Sequence, residues 1–241
     1  MYKALSLDLW FTLIYEDDRM LEDIWRARVS AIHSIVKTYR DDITFEDIYR
    51  MYYEMRHILM TTHPKKIIEY IVVGLGIERE AIEKILPIYK DISISIKPHV
   101  NEEAYEALPK LKDRGVRIGL TTNTSFSEDM IWKLLKEVEL DTYIDVVTAS
   151  SDLGILKPNP KIFHETVSRL GVEIGETVHV GDKYIYDAVG SYLAGMRPVL
   201  YKGLWPMYRF FRDFSRDVAE FNYPPNILVI EDLNELTKIF R

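Results

Sequence analysis

Residues 3–8, KALSLD, are an apolar run ending in an acid, and no comparable strand signal follows until VRIGLTT at 116–122. The intervening stretch has a different period. From about Asp18 to Asp91 apolar residues recur at helical spacing, interrupted at TYRDD, THP and GLG. Thr44 with Asp47 has the form of a helix start, and Gly74 with Gly76 that of a helix stop. This block of roughly 75 residues is several times the mean helix length of about 11–12. A lone strand cannot bury both its faces. The first strand therefore has to pair with strands that come after the helical block, and the block has to be an insertion.

The strands it needs follow in regular alternation. Asn101 caps a helix that ends near Gly115, and VRIGLTT is a strand. Ser127 caps the next helix and YIDVVTAS is the next strand. Asn159 and Pro160 open a helix that Gly171 closes. TVHVGD, DAVGSYLAG and RPVLY then read as strand, helix and strand. Strands alternating with helices imply an α/β fold: a Rossmann-like parallel sheet with helices on both faces, plus an inserted all-helical domain. The expected division is residues 1–15 and 97–241 as the core domain and 16–96 as the helical insert. Segment 203–225, rich in aromatic residues, is expected to hold a helix covering the sheet edge, with a lid or a dimer contact as the alternatives.

The chain has 241 residues, of which 47% are hydrophobic, enough for one sizeable core and a smaller second module. A net charge of −7 with no dense Lys/Arg cluster argues against nucleic acid or an anionic membrane as partner. The absence of cysteine excludes disulfides, thiolate metal sites and a thiol nucleophile, and fits a reducing, cytoplasmic setting. The N-terminal residues do not have the form of a signal peptide. The most apolar stretch, IIEYIVVGLGI, is too short to span a bilayer.

Polar residues collect where the strands end. The first strand ends at Asp8, the second at Thr121, Thr122 and Asn123. The third leads to Lys157, and the fourth ends at Asp182, with Asp187 one helical turn on. In an open parallel sheet these positions share the carboxyl edge, where such folds bind ligands. Each residue has an ordinary structural reading on its own: a strand-end turn, a cap, a solvated lysine. Together, in this order and on one edge, they form a site. Close carboxylates repel unless a cation sits among them, and Asp8 with Asp182 suits a hard cation such as Mg2+, with Asp187 behind. Thr122 and nearby amides suit an anionic oxygen, and Lys157 can neutralise both that oxygen and Asp8. A metal, an amine and a hydroxyl around a carboxylate suit phosphoryl transfer to it.

LSLDLWFTL, GLTTN, GILKPNPKIF and HVGDKYIYD resemble, in order, the four motifs of the haloacid dehalogenase (HAD) superfamily of hydrolases. The resemblance spans the whole α/β region. It implies that Asp8 is a nucleophile attacking phosphorus and that Thr122 contacts the phosphoryl group. It implies that Lys157 stabilises Asp8 and phosphate. Mg2+ would be held by Asp8, Asp182 and the Trp10 carbonyl, with Asp187 supporting them. Asn123 and Trp10 would border the substrate, a small phosphorylated molecule, and the helical insert would be a cap closing over the site.

The departure is Trp10. Phosphatases of the superfamily usually carry a second aspartate there, which protonates the leaving group and activates water. Indole can do neither, and losing a general acid or base typically costs about 10²–10⁴-fold. Glu16, Asp17, Asp18, His33, His57 and His63 are the candidates to replace it. The expected function is a Mg2+-dependent phosphatase working through an aspartyl-phosphate. A 2-haloacid dehalogenase is the alternative, because those relatives carry an aromatic residue at the Trp10 position. They use no metal, however, and have uncharged residues where Asp182 stands. They also tend to have Tyr where this chain has Phe163. A weakly catalytic ligand- or protein-binding member is the third reading. Arg26, Arg28, Arg56, Lys65 and Lys66 could meet a second anionic group of a substrate, or simply be solvated. His164 and His179 read as structural, and Lys161 and Arg169 have no assigned role. Oligomeric state is not legible.

Overall fold

The computed structural model describes residues 2–204 and 227–240. From residue 205 onward, the aromatic segment falls outside the described residues. Six strands make one parallel sheet: β1 (Ala4–Leu7), β4 (Arg117–Thr122), β5 (Val146–Ala149), β6 (Thr177–Gly181), β7 (Arg197–Tyr201) and β8 (Leu228–Ile230), in the order β5-β4-β1-β6-β7-β8. A two-residue pair, β2 (Ile14–Tyr15) and β3 (His99–Val100), forms a separate antiparallel ribbon. β1 is buried at all four positions, as a central parallel strand must be.

Between β2 and β3 lie α1 (Asp18–Val36), α2 (Phe45–Glu54), α3 (Pro64–Gly74) and α4 (Glu80–Ser95). Their boundaries follow local chemistry. Asp17 accepts the Met20 amide to cap α1. Thr44 and Asp47 close a reciprocal capping box on α2. Pro64 occupies the first turn of α3, and Gly76 follows it at φ 69°. After β3 come α5 (Glu102–Lys112), α6 (Glu128–Glu137), α7 (Ser150–Leu153), α8 (Pro160–Leu170) and α9 (Gly190–Ala194). The core runs without a break from the helices into the sheet: Ile32, Ile48, Tyr52, Ile71 and Tyr89 belong to the same buried cluster as Leu5, Leu120 and Val180. No helix among the described residues is long and apolar enough to cross a membrane.

Some local expectations change. Ser127 stands at the start of α6, but its hydroxyl donates to Asp129 Oδ1 at 2.6 Å, and the Glu128 amide donates to Asp152 instead. The DAVGSYLAG helix opens as a wider π-helical turn over Tyr184–Val189. His164 is exposed on α8 and takes no part in the core. The β2–β3 ribbon has no signal in the sequence, because two-residue strands have no period to read. It closes the two ends of the helical insertion together, and Asn101 fastens it by donating to the Thr12 carbonyl and the Tyr201 hydroxyl.

Candidate active site

β1 lies between β4 and β6, with Leu7 in register with both Leu120 and Val180. The chain builds outward to β4 and β5 on one side of β1, then crosses to β6, β7 and β8 on the other. This is a topological switch point, and the crevice beside it is where such sheets bind ligands. Asp8, Thr122 and Asp182 stand at or just past the ends of these three strands. Immediately after Asp8 the chain doubles back on itself: Phe11 takes a left-handed φ of 61°, and its amide bonds to the Ile14 carbonyl.

Lys157, which alone would read as a solvated lysine and is expected to serve Asp8, is 2% exposed. Lys157 Nζ donates to Asp8 Oδ1 at 2.7 Å and to Asp187 Oδ1 at 2.6 Å. Its backbone is held by Asn123, whose Oδ1 accepts the Lys157 amide and whose Nδ2 donates to the Lys157 carbonyl. The Asn123 side chain is thus taken up by the lysine loop. Asp187 Oδ2 accepts the Lys183 amide, and its Oδ1 also meets His179 Nε2 at 3.1 Å. Gly181 has no alternative here, because a Cβ at that position would overlap the Asp187 carboxylate.

Asp8, Asp182 and Asp187 each place a carboxylate oxygen within 4.8 Å of the others. Their titration separates them. Burial pushes Asp8 up, against the pull of Lys157. Burial and the charges of Asp187 and Asp8 hold Asp182 well above the usual carboxylate range. Burial works against Asp187 as well, but Lys157 and His179 outweigh it and hold this carboxyl below its ordinary value. Lys157 is the one buried ammonium among three buried carboxylates. Lys183 reaches Asp182 only at 3.8 Å, from a partly exposed position. The donor set is therefore all oxygen and short of positive charge, which fits a hard divalent cation. Thr122 Oγ1 is buried with no hydrogen-bond partner among the described residues, a vacant donor at the same edge.

Trp10 donates its indole N–H to Thr124 Oγ1 at 3.3 Å and tilts against Phe126, with ring centroids 5.6 Å apart. It lines a narrow, mainly apolar crevice with Glu16, Met20 and Phe126. Glu16 is the one candidate acid in that crevice, and burial pushes its carboxyl up to about 7. Asp17 is occupied as a cap, and the Asp18 side chain lies outside the described residues. His33 packs edge-on against Phe45, His63 caps α3, and His57 is exposed.

Of the five insert cations considered for a second anionic group, only Arg28 is buried, at 1% exposed. It donates to Ser93 at 2.9 Å and, across to the loop after β4, to Ser125 at 2.9 Å. Arg26, Lys65 and Lys66 pair with surface glutamates. Arg56 lies over the Tyr53 ring. Lys161 is exposed, and Arg169 pairs with Glu128. Sequence reasoning missed the importance of Arg28, Ser125 and the His179–Asp187 contact, since each depends on elements far apart in the chain.

A family model described as haloacid dehalogenase-like hydrolase matches residues 2–190. The chain belongs to this hydrolase family. Among its HAD relatives, the glyceraldehyde 3-phosphate phosphatase of Methanopyrus kandleri is 29% identical over 201 residues, 81% of this chain and 82% of that protein. Several other curated relatives are matched over about half their own length. Among solved structures, a 2-haloacid dehalogenase from Pseudomonas syringae pv. Tomato superposes with a TM-score of 0.69 at 18% identity, over 99% of this chain and 98% of that one. A HAD phosphatase from Thermococcus onnurineus superposes with a TM-score of 0.58 at 24% identity, over 98% and 97%. At these identities the two structures share the HAD fold with this chain, and their different chemistries carry no weight between the readings.

Proposed function

We propose that this HAD hydrolase is a Mg2+-dependent phosphatase acting on a small phosphorylated molecule through an aspartyl-phosphate on Asp8. The observation that carries the reading is the buried Asp182 beside Asp8: a haloacid-type site has no use for a second acid there. The phosphatase name of the Methanopyrus kandleri relative supports the same choice.

Asp8 attacks phosphorus while the bond from phosphorus to the leaving oxygen breaks; water then attacks the phosphorus of the aspartyl-phosphate and frees Asp8. Lys157 holds Asp8 in place and neutralises charge on the phosphoryl oxygens. Thr122 Oγ1 donates to one of those oxygens. Asp8, Asp182 and the Trp10 carbonyl would hold Mg2+, with Asp187 supporting them. When bound, the ion shields the carboxylates from one another and draws off charge that builds on the phosphoryl oxygens. Trp10 moves no proton, so the leaving group departs unprotonated or takes its proton elsewhere. Helices α1–α4, within residues 16–96, serve as the cap over the core domain formed by 1–15 and 97–241.

The test compares p-nitrophenyl phosphate with a simple alkyl phosphate, each with Mg2+ and with EDTA, in the wild type and in Asp8→Asn. The expected result is Mg2+-dependent turnover of the aryl ester, slower alkyl turnover, and loss on the order of 10⁴-fold or more in Asp8→Asn. Metal-independent release of halide from 2-chloropropionate would replace this reading with the dehalogenase one.

A further inference from the structure

Behind the acids lies a line of polar side chains that the proposed chemistry does not use. Ser6 on β1, Thr121 on β4, Thr166 on α8 and His179 on β6 are all fully buried. Thr166 Oγ1 lies 2.6 Å from Thr121 Oγ1, which lies 2.7 Å from Ser6 Oγ. Ser6 Oγ lies 2.8 Å from His179 Nδ1, and His179 Nε2 lies 3.1 Å from Asp187 Oδ1. The line runs from α8 through three adjacent strands and ends on the carboxylate that grips Lys157.

Elementary hydrogen-bond accounting gives it a direction. Asp187 is ionised, since it binds Lys157 Nζ on one oxygen and the Lys183 amide on the other. An ionised carboxylate only accepts, so His179 Nε2 must carry a proton. Burial favours the neutral ring, which leaves Nδ1 with a lone pair. Ser6 must then give its hydroxyl proton to Nδ1. Thr121 in turn must donate to Ser6, and Thr166 to Thr121 at 2.6 Å rather than to the Ile162 carbonyl at 3.3 Å. Each hydroxyl has a single proton, so one end fixes every rotor along the line. Phe163 stands edge-on to the imidazole at 4.9 Å, pinning the ring plane.

We propose that His179 is a positioning residue: as the last donor of a one-way chain Thr166–Thr121–Ser6–His179–Asp187, it fixes the carboxylate that aims Lys157 at Asp8. Losing it leaves Asp187 Oδ1 held by Lys157 alone and Oδ2 by the Lys183 amide, so the carboxylate can turn about that one backbone bond and carry the ammonium with it. Lys157 has no other acidic partner to hold it on line, because its remaining bond is to the nucleophile itself. The effect on turnover rests on the phosphatase reading; the proton's location and the Lys157 geometry do not.

Two substitutions separate the two ring nitrogens. The Gln amide nitrogen can stand near Nε2 and still donate to Asp187. The Asn amide reaches only as far as Nδ1 and Ser6. With p-nitrophenyl phosphate and Mg2+, His179→Asn should lower kcat roughly 10–100-fold, the cost typical of losing an outer partner of a site carboxylate. KM should stay nearly unchanged, and His179→Gln should recover most of the rate. A crystal structure of His179→Asn should show Lys157 Nζ displaced, and 15N spectra of the wild type should show a protonated Nε2 and a bare Nδ1. Equal losses in Asn and Gln, an unmoved Lys157, or a proton on Nδ1 would each overturn the proposal. If the wild type turns over no phosphate ester, the phosphatase reading fails alone, and the spectra and the crystal structure still decide this one.

Discussion

Among the described residues two cations are buried, and they are housed in opposite ways. Lys157 is held by two carboxylates at 2.7 and 2.6 Å. Arg28, equally buried, has no carboxylate within 4 Å among the described residues. It donates to the hydroxyls of Ser93, Ser125 and Tyr52, and its guanidinium lies 4.6 Å over the Phe126 ring and 5.2 Å over Tyr89. The difference follows from the two groups. An ammonium is a compact, strongly hydrated charge that must be repaid with opposite charge when water is removed. A guanidinium is flat and weakly hydrated, and it tolerates hydroxyls and aromatic faces. The first arrangement is built on charge balance and serves chemistry. The second is built on shape and joins α1, α2 and α4 to the loop that follows β4.

That contrast can be broken experimentally. Lys157→Met should have the largest effect, because it leaves Asp8 and Asp187 buried without a counter-charge. We expect a loss of about 3–5 kcal/mol at pH 7 by urea unfolding. The pH sign follows from Asp187. Its carboxyl is held below its ordinary value, so it contributes stability above the unfolded pKa and loses it as pH falls below. Without Lys157 that contribution goes, and the variant should regain stability as the solution is acidified from neutrality. A variant as stable as wild type at pH 7 would end the charge-balance account.

Arg28→Met should cost less, about 1–2 kcal/mol, since the hydroxyls it leaves are neutral and can rotate. Arg28→Lys should not restore it, because an ammonium cannot lie flat on Phe126 while reaching Ser93 and Ser125. A cost equal to that of Lys157→Met would erase the distinction between the two sites.

At pH 7 the smallest expected effect belongs to Glu16, whose carboxyl rises from 4.5 to about 7 mainly through burial, opposed by Arg28. A raised acid binds its proton more tightly when folded. Its stabilising effect is therefore present below pH 4.5 and is lost as pH rises through 7. The slope stays below the ceiling of about 1.4 kcal/mol per pH unit. Glu16→Gln should flatten the difference in unfolding free energy between pH 5 and pH 7.5. Adding Arg28→Met to the wild-type Glu16 should steepen it. An unchanged slope in Glu16→Gln would remove Glu16 as its source.

Much of this was legible before folding. Asp8, Thr122, Lys157, Asp182 and Asp187 announced themselves by standing after successive strands, and the parallel sheet brings strand ends to one edge whatever the loops contain. The capping box at Thr44 and Asp47 and the stop at Gly76 were readable because caps are local. The burial of Lys157 was not, nor was the choice of Arg28 over Arg26, two residues away on the same helix. Helical phase alone says which face is apolar; it does not say what that face will meet.

The sequence by itself determined the longer elements, their order and the chemical types gathered at the carboxyl edge, because hydrophobic period, caps and turns act over a few residues. Tertiary structure decided which of those groups touch. Lys157 and Asp8 are separated by 149 positions, Ser6 and His179 by 173, and Arg28 and Ser125 by 97. Such contacts form only when strand order and register are set, and once water is excluded from them, a hydrogen bond or a charge there acquires the strength that lets it fix a proton, a rotor or an ammonium in place.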